Sequence, residues 1–504
     1  MRKLSEQTTI WAVLGTGLLL RILLAFWIYP GTGFRGDMRD FASWADTMAT
    51  HGPSAFYANA PTANYPPIYP LVLWPIGALT PLVADVVGRD AVEVGLVLSK
   101  VPAVVADLGI ALLLLTAGRR WWSPKVGIGA AALFLVAPVT WYDSAVWGQV
   151  DSVAALPVLG SLVLLIDRRP AWAMTCATAA ILVKPQSAVV LGVLLPVLVR
   201  RHLVDGRDFP TWSRCVAGMT AVLLAVCVPF DLERFSHSRL ADVPVAGDVT
   251  GLWALYRSAG ETFDVLSVNA YNAWALVGPR PLVESPGSGR VDWTPDSLAL
   301  PLVGGISAFV LGALLLGATG LVVAVPLLVR RGLADDPVVV LLGHVVLAAA
   351  FFSVPTRVHE RYLFPVFVSG VLLAVLATRW VISYAVASLT ATVNLHAVLT
   401  GPVNPTFEVL GVTPQQGPRA GTGAIAPRMP TELDQLSHAA GTWSRSLPVA
   451  TAVSALHALF FLLLLGSWAA LVGRSRKDSR GVTPSRRSVG PPARRSDPLS
   501  TVHS

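Results

Sequence analysis

Apolar stretches recur along the whole of this sequence, and no other feature constrains its fold as tightly. VVVLLGHVVLAAAFFSV runs up to residue 354 and PVFVSGVLLAVLA resumes at residue 365, with a charged turn between them. A helix needs about 20 predominantly apolar residues to cross a hydrocarbon core roughly 30 Å thick, and several runs here are long enough. The 504 residues are 54% hydrophobic and only 13% charged, with a mean hydropathy of +0.61. A length that would otherwise suggest three or four soluble domains therefore describes an all-α polytopic membrane protein.

The apolar runs and the Lys/Arg clusters fit one topology under the positive-inside rule. With Arg2 and Lys3 cytoplasmic, the run 10–29 is a retained first helix; no A-x-A-like cleavage site follows it. Keeping Arg119–Arg120, Arg168–Arg169, Arg200–Arg201, Arg330–Arg331, Arg379 and the tail cytoplasmic then sets eleven further spans. They fall near 91–117, 126–141, 150–166, 171–184, 187–200, 213–230, 301–329, 337–354, 361–378, 380–398 and 449–472, which makes twelve with the first. The apolar stretch 68–87 is set aside as an interfacial or re-entrant segment. It follows Pro66–Pro67 and contains Pro70, Pro75 and Pro81, which would interrupt a straight helix, and a span there would reverse every later loop. Four regions result: a transmembrane catalytic module at 1–230, an extracytoplasmic loop at 231–300, a second transmembrane module at 301–472 carrying the outer loop 399–448, and a disordered basic cytoplasmic tail at 473–504. In this multi-pass arrangement in the cell membrane both termini are cytoplasmic and the polar motifs gather on the extracytoplasmic side.

The net charge of +8 is not a nucleic-acid signal. From Arg474 onward the chain holds eight Arg/Lys against two Asp, so six of the eight net charges belong to the tail. A basic tail beside a last helix serves topology and lipid headgroups. Cys176, Cys215 and Cys227 lie in apolar runs without metal-ligand spacing and read as inert buried thiols.

Four polar motifs carry the chemistry. The first outer loop reads GDMRDFASWADTMATHG and then ANYPPIYPL. Phe41, Trp44, Ala45, Met48 and Ala49 have helical spacing, as in a short amphipathic helix lying in the interface. Asp37, at or near its start, is either an ordinary cap or a general base. In WYDSAVWGQVDSV, Asp143 and Asp151 flank Trp147, Gly148 and Gln149; Asp151 opens a span and is either a helix-dipole cap or, with Asp143, a functional acid at membrane depth. Lys184, in ILVKPQSAVVL, sits between two short spans, where a snorkelling cation and one facing a buried anion such as phosphate are the two readings.

The fourth motif is the charged turn PTRVHERYLF at 355–364. Arg357, His359 and Arg361 offer up to three cations against the single Glu360. That excess suits an anion, and an Arg fork matches phosphate oxygens. Loop 231–300 adds LSVNAYNAWAL, with Asn269, Tyr271, Asn272 and Trp274. These are residues that either contact sugar or anchor a segment at the interface.

Taken in order, these segments resemble the GT-C superfamily of integral-membrane glycosyltransferases, above all those of N-glycan assembly that take glucose from a lipid phosphate, and related actinobacterial mannosyltransferases. The carrying residues are Asp37 with Trp44 seven positions on, Tyr65-Pro66-Pro67-Ile68, Asp143 with Trp147-Gly148-Gln149, Lys184-Pro185-Gln186 and Val358-His359-Glu360-Arg361. Two departures are Asn64, where the eukaryotic glucosyltransferases have an acid, and Arg361 in place of Lys. The usage of Ala, Val and Arg suggests a high-GC bacterium, whose carrier would be a polyprenyl phosphate.

The resemblance implies transfer of one hexose, mannose or glucose, from a polyprenyl-phosphate donor to an extracytoplasmic glycolipid or glycan acceptor by inverting displacement. Asp37 would be the catalytic base. Lys184, His359 and Arg361, with Arg357 a weaker candidate, would bind the donor phosphate. Tyr65, Asp143, Trp147, Gln149, Asp151, Glu360 and Asn269 would line the substrate. No cofactor is called for; a divalent metal at Asp143 and Asp151 is the less favoured variant. A transporter or flippase of lipid-linked sugars is the alternative. An oligosaccharyltransferase-like enzyme would need a large soluble outer domain, for which 399–448 is too short.

Overall fold

The structure is a computed structural model that describes residues 2–29, 33–240, 243, 245–277, 294–301, 304–401 and 431–481. The tail beyond 481 and most of the outer loop 399–448 lie outside the described residues. Apart from one antiparallel pairing of Ala299–Leu300 with Ile306–Ser307, the described chain is helical.

Among the described residues, eight helices are long and apolar enough to cross a membrane: Ser5–Ile28, Ile68–Val87, Ala91–Trp121, Pro185–Val204, Phe209–Cys227, Ala308–Val329, Thr378–Leu399 and Leu447–Arg474. The pair Pro124–Val136 and Pro138–Trp147, bent by 55°, makes a ninth if counted as one span. By length and composition, the described residues thus hold eight or nine such helices against the twelve expected from sequence. The stretches expected at 150–166, 171–184 and 337–354 form helices of only 16, 14 and 17 residues. At 361–378 the α-helix is confined to Phe364–Ala374, 11 residues.

The largest correction is at Ile68–Val87, an unbroken α-helix with Pro75 and Pro81 inside it. Each proline removes one backbone hydrogen bond, and an apolar helix packed on its neighbours tolerates that loss. Yet Lys100 Nζ donates to the Tyr29 carbonyl at 2.9 Å, so the segment between them starts and ends at the same end of the bundle. Ile68–Val87 by itself therefore adds no net crossing between Tyr29 and Lys100.

That helix instead supports the amphipathic helix expected in the first loop. Arg35–His51 buries Met38, Phe41, Trp44, Ala45 and Met48 against Tyr69, Leu73 and Ile76. The two backbones touch at Gly77, where an added Cβ would stand 1.9 Å from the Ala45 carbonyl oxygen. Only glycine permits so close a crossing.

Polar residues sort to two ends of the bundle. At one end Arg119 pairs with Glu6 at 2.9 Å and Arg120 pairs with Asp167. Asp335 takes Arg168 at 2.8 Å and Arg201 at 3.1 Å, while Arg200 reaches the Leu328 and Val329 carbonyls. Pairs with a solvent-exposed partner stabilise little, but these place four helix-connecting segments and the start of the first helix side by side. The motif-bearing loops converge at the opposite end.

Candidate functional site

At that opposite end is a cavity of about 470 Å³ whose lining includes five separate segments. Asp37, Asp40, Trp44, Asn64 and Tyr65 come from the first loop, and Trp147 from the second. Lys184 and Gln186 follow, then Asn269 and the turn carrying Arg357, His359, Glu360 and Arg361. Loops far apart in sequence thus meet around one space, as their shared side of the bundle requires.

Asp37 is not the cap of its helix. The N-cap is Phe34, and Asp37 lies in the first turn. Its carboxylate instead accepts hydrogen bonds from Trp147 Nε1 at 3.2 Å and from Gln149 Nε2, both at Oδ2. Among the described residues no donor addresses Oδ1. One oxygen is thus fixed, and the other is left without a hydrogen bond on a residue that lines the cavity. Asp40, one turn further along the same helix, accepts from the Thr62 hydroxyl at 3.1 Å. Burial lifts its carboxyl to about 6, against the Thr62 hydrogen bond and with the help of the Asp37 charge.

The segment carrying Trp147 and Gln149 is held from inside the bundle. Tyr142–Trp147 is a π-helical turn closed by Gly148, whose φ of +82° favours glycine and whose added Cβ would stand 2.7 Å from Met38 Sδ. Ser144 donates to Asp107 Oδ2 at 2.6 Å and Ser152 to Asp107 Oδ1 at 2.5 Å. One buried carboxylate therefore ties both ends of the segment. Arg21 Nε pairs with Asp107 at 2.5 Å and Arg21 Nη2 reaches the Thr140 hydroxyl at 3.2 Å. Lys100 Nζ holds the Ala145 and Val146 carbonyls, each at 3.1 Å. Neither Lys100 nor Asp107 stood out in sequence, where each is one polar residue beside or within the long apolar stretch 91–117.

Asp151 is not a cap either: Val150 is the N-cap, and Asp151 Oδ1 accepts from Lys184 Nζ at 2.7 Å. Lys184 thus has an anion inside the protein, and its ammonium also lies 5.5 Å from the Tyr362 ring centroid. Arg361 Nη1 donates to Glu360 Oε1 at 2.7 Å, and Arg361 Cζ lies 6.0 Å from the Trp147 ring centroid. Arg361 Nε and Glu360 Oε2 are buried without a hydrogen-bond partner among the described residues.

Two of the expected cations change role. Arg357 lines the cavity, but its Nε donates to Asp296 Oδ2 at 2.6 Å and its Nη1 to the Gly260 carbonyl at 3.0 Å. Its guanidinium fastens the turn to the preceding loop. His359 is held well below its ordinary value by burial, then by the Arg361 and Lys184 charges, so its imidazole is neutral. The excess of positive charge expected from the sequence is absent. What remains is spare donor capacity: Lys184 has three N–H groups and Arg361 five, of which Asp151 and Glu360 take one each.

The remaining candidates divide. Tyr65 lines the cavity, its ring packed against Phe41, Trp44 and Tyr69. Asn269 lines it as well, with φ +63° and its carbonyl accepting from Asn394 Nδ2 at 2.9 Å. Tyr271, Asn272 and Trp274 do not; they hydrogen-bond the Ser444, Phe352 and Val354 carbonyls in the interior. Asp143 is fully buried behind the cavity, and neither carboxylate oxygen has a hydrogen-bond partner among the described residues. No group of three or more His, Cys, Asp or Glu among the described residues is placed to hold a metal ion.

No protein-family model matches the sequence, and no curated protein matches it significantly. Among solved structures, the chain is similar to ArnT from Cupriavidus metallidurans in the apo state at 14% identity and a TM-score of 0.39, over 94% of this chain and 78% of that one. It is also similar to the apo oligosaccharyltransferase of Archaeoglobus fulgidus at 12% identity and a TM-score of 0.40, over 89% of this chain and 56% of that one. TM-scores this low carry no argument for a shared activity.

Proposed function

We propose that this protein is a membrane glycosyltransferase that moves a single hexose from a polyprenyl-phosphate donor to an acceptor on the extracytoplasmic face. The observation that carries the reading is one cavity lined by a carboxylate with an unbonded oxygen, Asp37, together with Arg361, whose buried Nε has no partner, and Lys184, of whose three N–H groups Asp151 takes one. Asp37 takes the proton from an acceptor hydroxyl as that oxygen attacks the anomeric carbon. The bond from the anomeric carbon to the phosphate oxygen breaks on the opposite face, and polyprenyl phosphate leaves with the electron pair. Arg361 and Lys184 donate hydrogen bonds to the charge that grows on that oxygen, and neutral His359 can add one more.

Asp151 and Glu360 orient the two cations rather than compete for the site, since each uses only one donor. The Arg-rich segments at the opposite end of the bundle support the outward placement under the positive-inside rule. The test is purified protein with radiolabelled polyprenyl-phosphate mannose and glucose and an extract of envelope glycolipids as acceptor. Transfer by the wild type and loss of about 10²–10⁴-fold in rate with Asp37→Asn support the reading. Transfer by Asp37→Asn at the wild-type rate removes the base.

A further inference from the structure

Two neutral amide residues line the cavity, and each carries a buried polar atom that the protein leaves unanswered. Gln186 Nε2 and Asn269 Oδ1 are both buried, and neither has a hydrogen-bond partner among the described residues. Buried polar atoms are almost always satisfied, so two unsatisfied ones on residues that line a single cavity point to a ligand as the missing partner.

Both side chains are held by ordered backbone. The Asn269 carbonyl accepts from Asn394 Nδ2, its backbone bridges to His359, and its φ of +63° is one that Asn tolerates. Gln186 stands in the 3-10 helix Pro185–Val190 that opens directly after Lys184.

One of these atoms donates and the other accepts, and a hydroxyl does both. The position is equally specific. Gln186 is two residues beyond Lys184, and Asn269 is backbone-bridged to His359. In a phospho-sugar a single oxygen separates phosphorus from the anomeric carbon, so the ring hydroxyls fall beside whatever holds the phosphate. Asp37, Asp40 and Glu360 line the same cavity and disfavour a sugar that carries its own carboxylate.

We propose that Gln186 and Asn269 form the subsite that reads the ring hydroxyls of the donor sugar, and that this sugar is a neutral pyranose rather than a uronate. The proposal rests on the phosphate assignment made above.

The experiment is isothermal titration of the full-length protein in detergent with four short-chain probes: citronellyl phosphate and the citronellyl-phospho derivatives of mannose, glucose and glucuronate. In the wild type, a neutral phospho-sugar binds more tightly than citronellyl phosphate, and the glucuronate derivative does not. Gln186→Leu and Asn269→Gly each weaken the neutral phospho-sugar by about ten-fold and leave citronellyl phosphate unchanged. Asn269→Gly keeps the positive φ; where it lowers the unfolding temperature, Gln186→Leu decides alone. Equal loss on both probe types, or no loss on either, overturns the subsite. Wild-type binding of citronellyl phosphate to which no neutral sugar adds anything also overturns it and leaves the phosphate assignment standing. If citronellyl phosphate does not bind the wild type at all, the phosphate assignment fails and the subsite with it.

Discussion

Lys184 Nζ donates to Asp151 Oδ1 at 2.7 Å, while the other oxygen of that carboxylate stands 3.8 Å from Arg361 Nε without a hydrogen bond. Removing one partner of a buried pair leaves an uncompensated charge and typically costs about 3–5 kcal/mol. Lys184→Met should destabilise the protein by that much in denaturant or thermal unfolding in detergent. Lys184→Met combined with Asp151→Leu should recover most of the loss while leaving donor binding impaired. A double variant no more stable than the single one would mean that the pair is not the source of the cost.

The two arginines of the charged turn should separate cleanly. Arg361→Gln removes donors from a cavity-lining side chain, so it should weaken binding of a lipid phosphate by about ten-fold or more; because it also abandons the buried Glu360, the unfolding temperature should fall as well. Arg357→Gln abandons the buried Asp296 and the Gly260 carbonyl. It should lower the unfolding temperature and leave the lipid-phosphate affinity of the folded fraction near wild type. Affinity loss in Arg357→Gln at unchanged stability would restore Arg357 to the phosphate site.

Asp40 supplies a pH signature. Its carboxyl is lifted to about 6 by burial and, in smaller part, by the Asp37 charge, with Thr62 opposing. An acid whose value is higher folded than unfolded holds its proton more tightly when folded. Its contribution therefore weakens the fold as pH rises from about 4 to about 6. Asp40→Asn cannot ionise. Relative to wild type it should gain unfolding temperature through that window, keep the gain at neutral pH and show none in more acidic buffer. A difference independent of pH would refute the assignment.

Ser144 and Ser152 should matter to turnover although neither lines the cavity. Each donates to a buried carboxylate, a bond of about 1.5–3 kcal/mol. Ser144→Ala and Ser152→Ala should each lose stability of that order and lower kcat in the transfer assay with little change in KM for the donor. The segment they tie carries the two donors that fix Asp37.

Much of the site was legible because its residue types are rare in apolar surroundings. Asp37, Lys184, Glu360 and Arg361 stand out in any reading of this sequence, and the cavity gathers all four. The partners that decide their charge state were not legible. Asp296 lies 61 residues from Arg357, and no local pattern reveals that it cancels that guanidinium. Lys100 and Asp107 looked like isolated interruptions of an apolar run, because the groups they hold come from other helices. Prolines at 75 and 81 argued against a helix that packing against Arg35–His51 sustains. The lengths of the spans were not legible either: four of the stretches expected as crossings hold α-helices of only 11 to 17 residues.

The double tie at Asp107 has a thermodynamic consequence. Trp147, Gln149 and Asp151 are fixed by groups deep in the bundle, so their conformational freedom is lost when the chain folds and not when a substrate arrives. Ligand association at this wall should then carry little ordering entropy. Its heat-capacity change should match the apolar surface a bound ligand covers, with no added component from segments that fold around it.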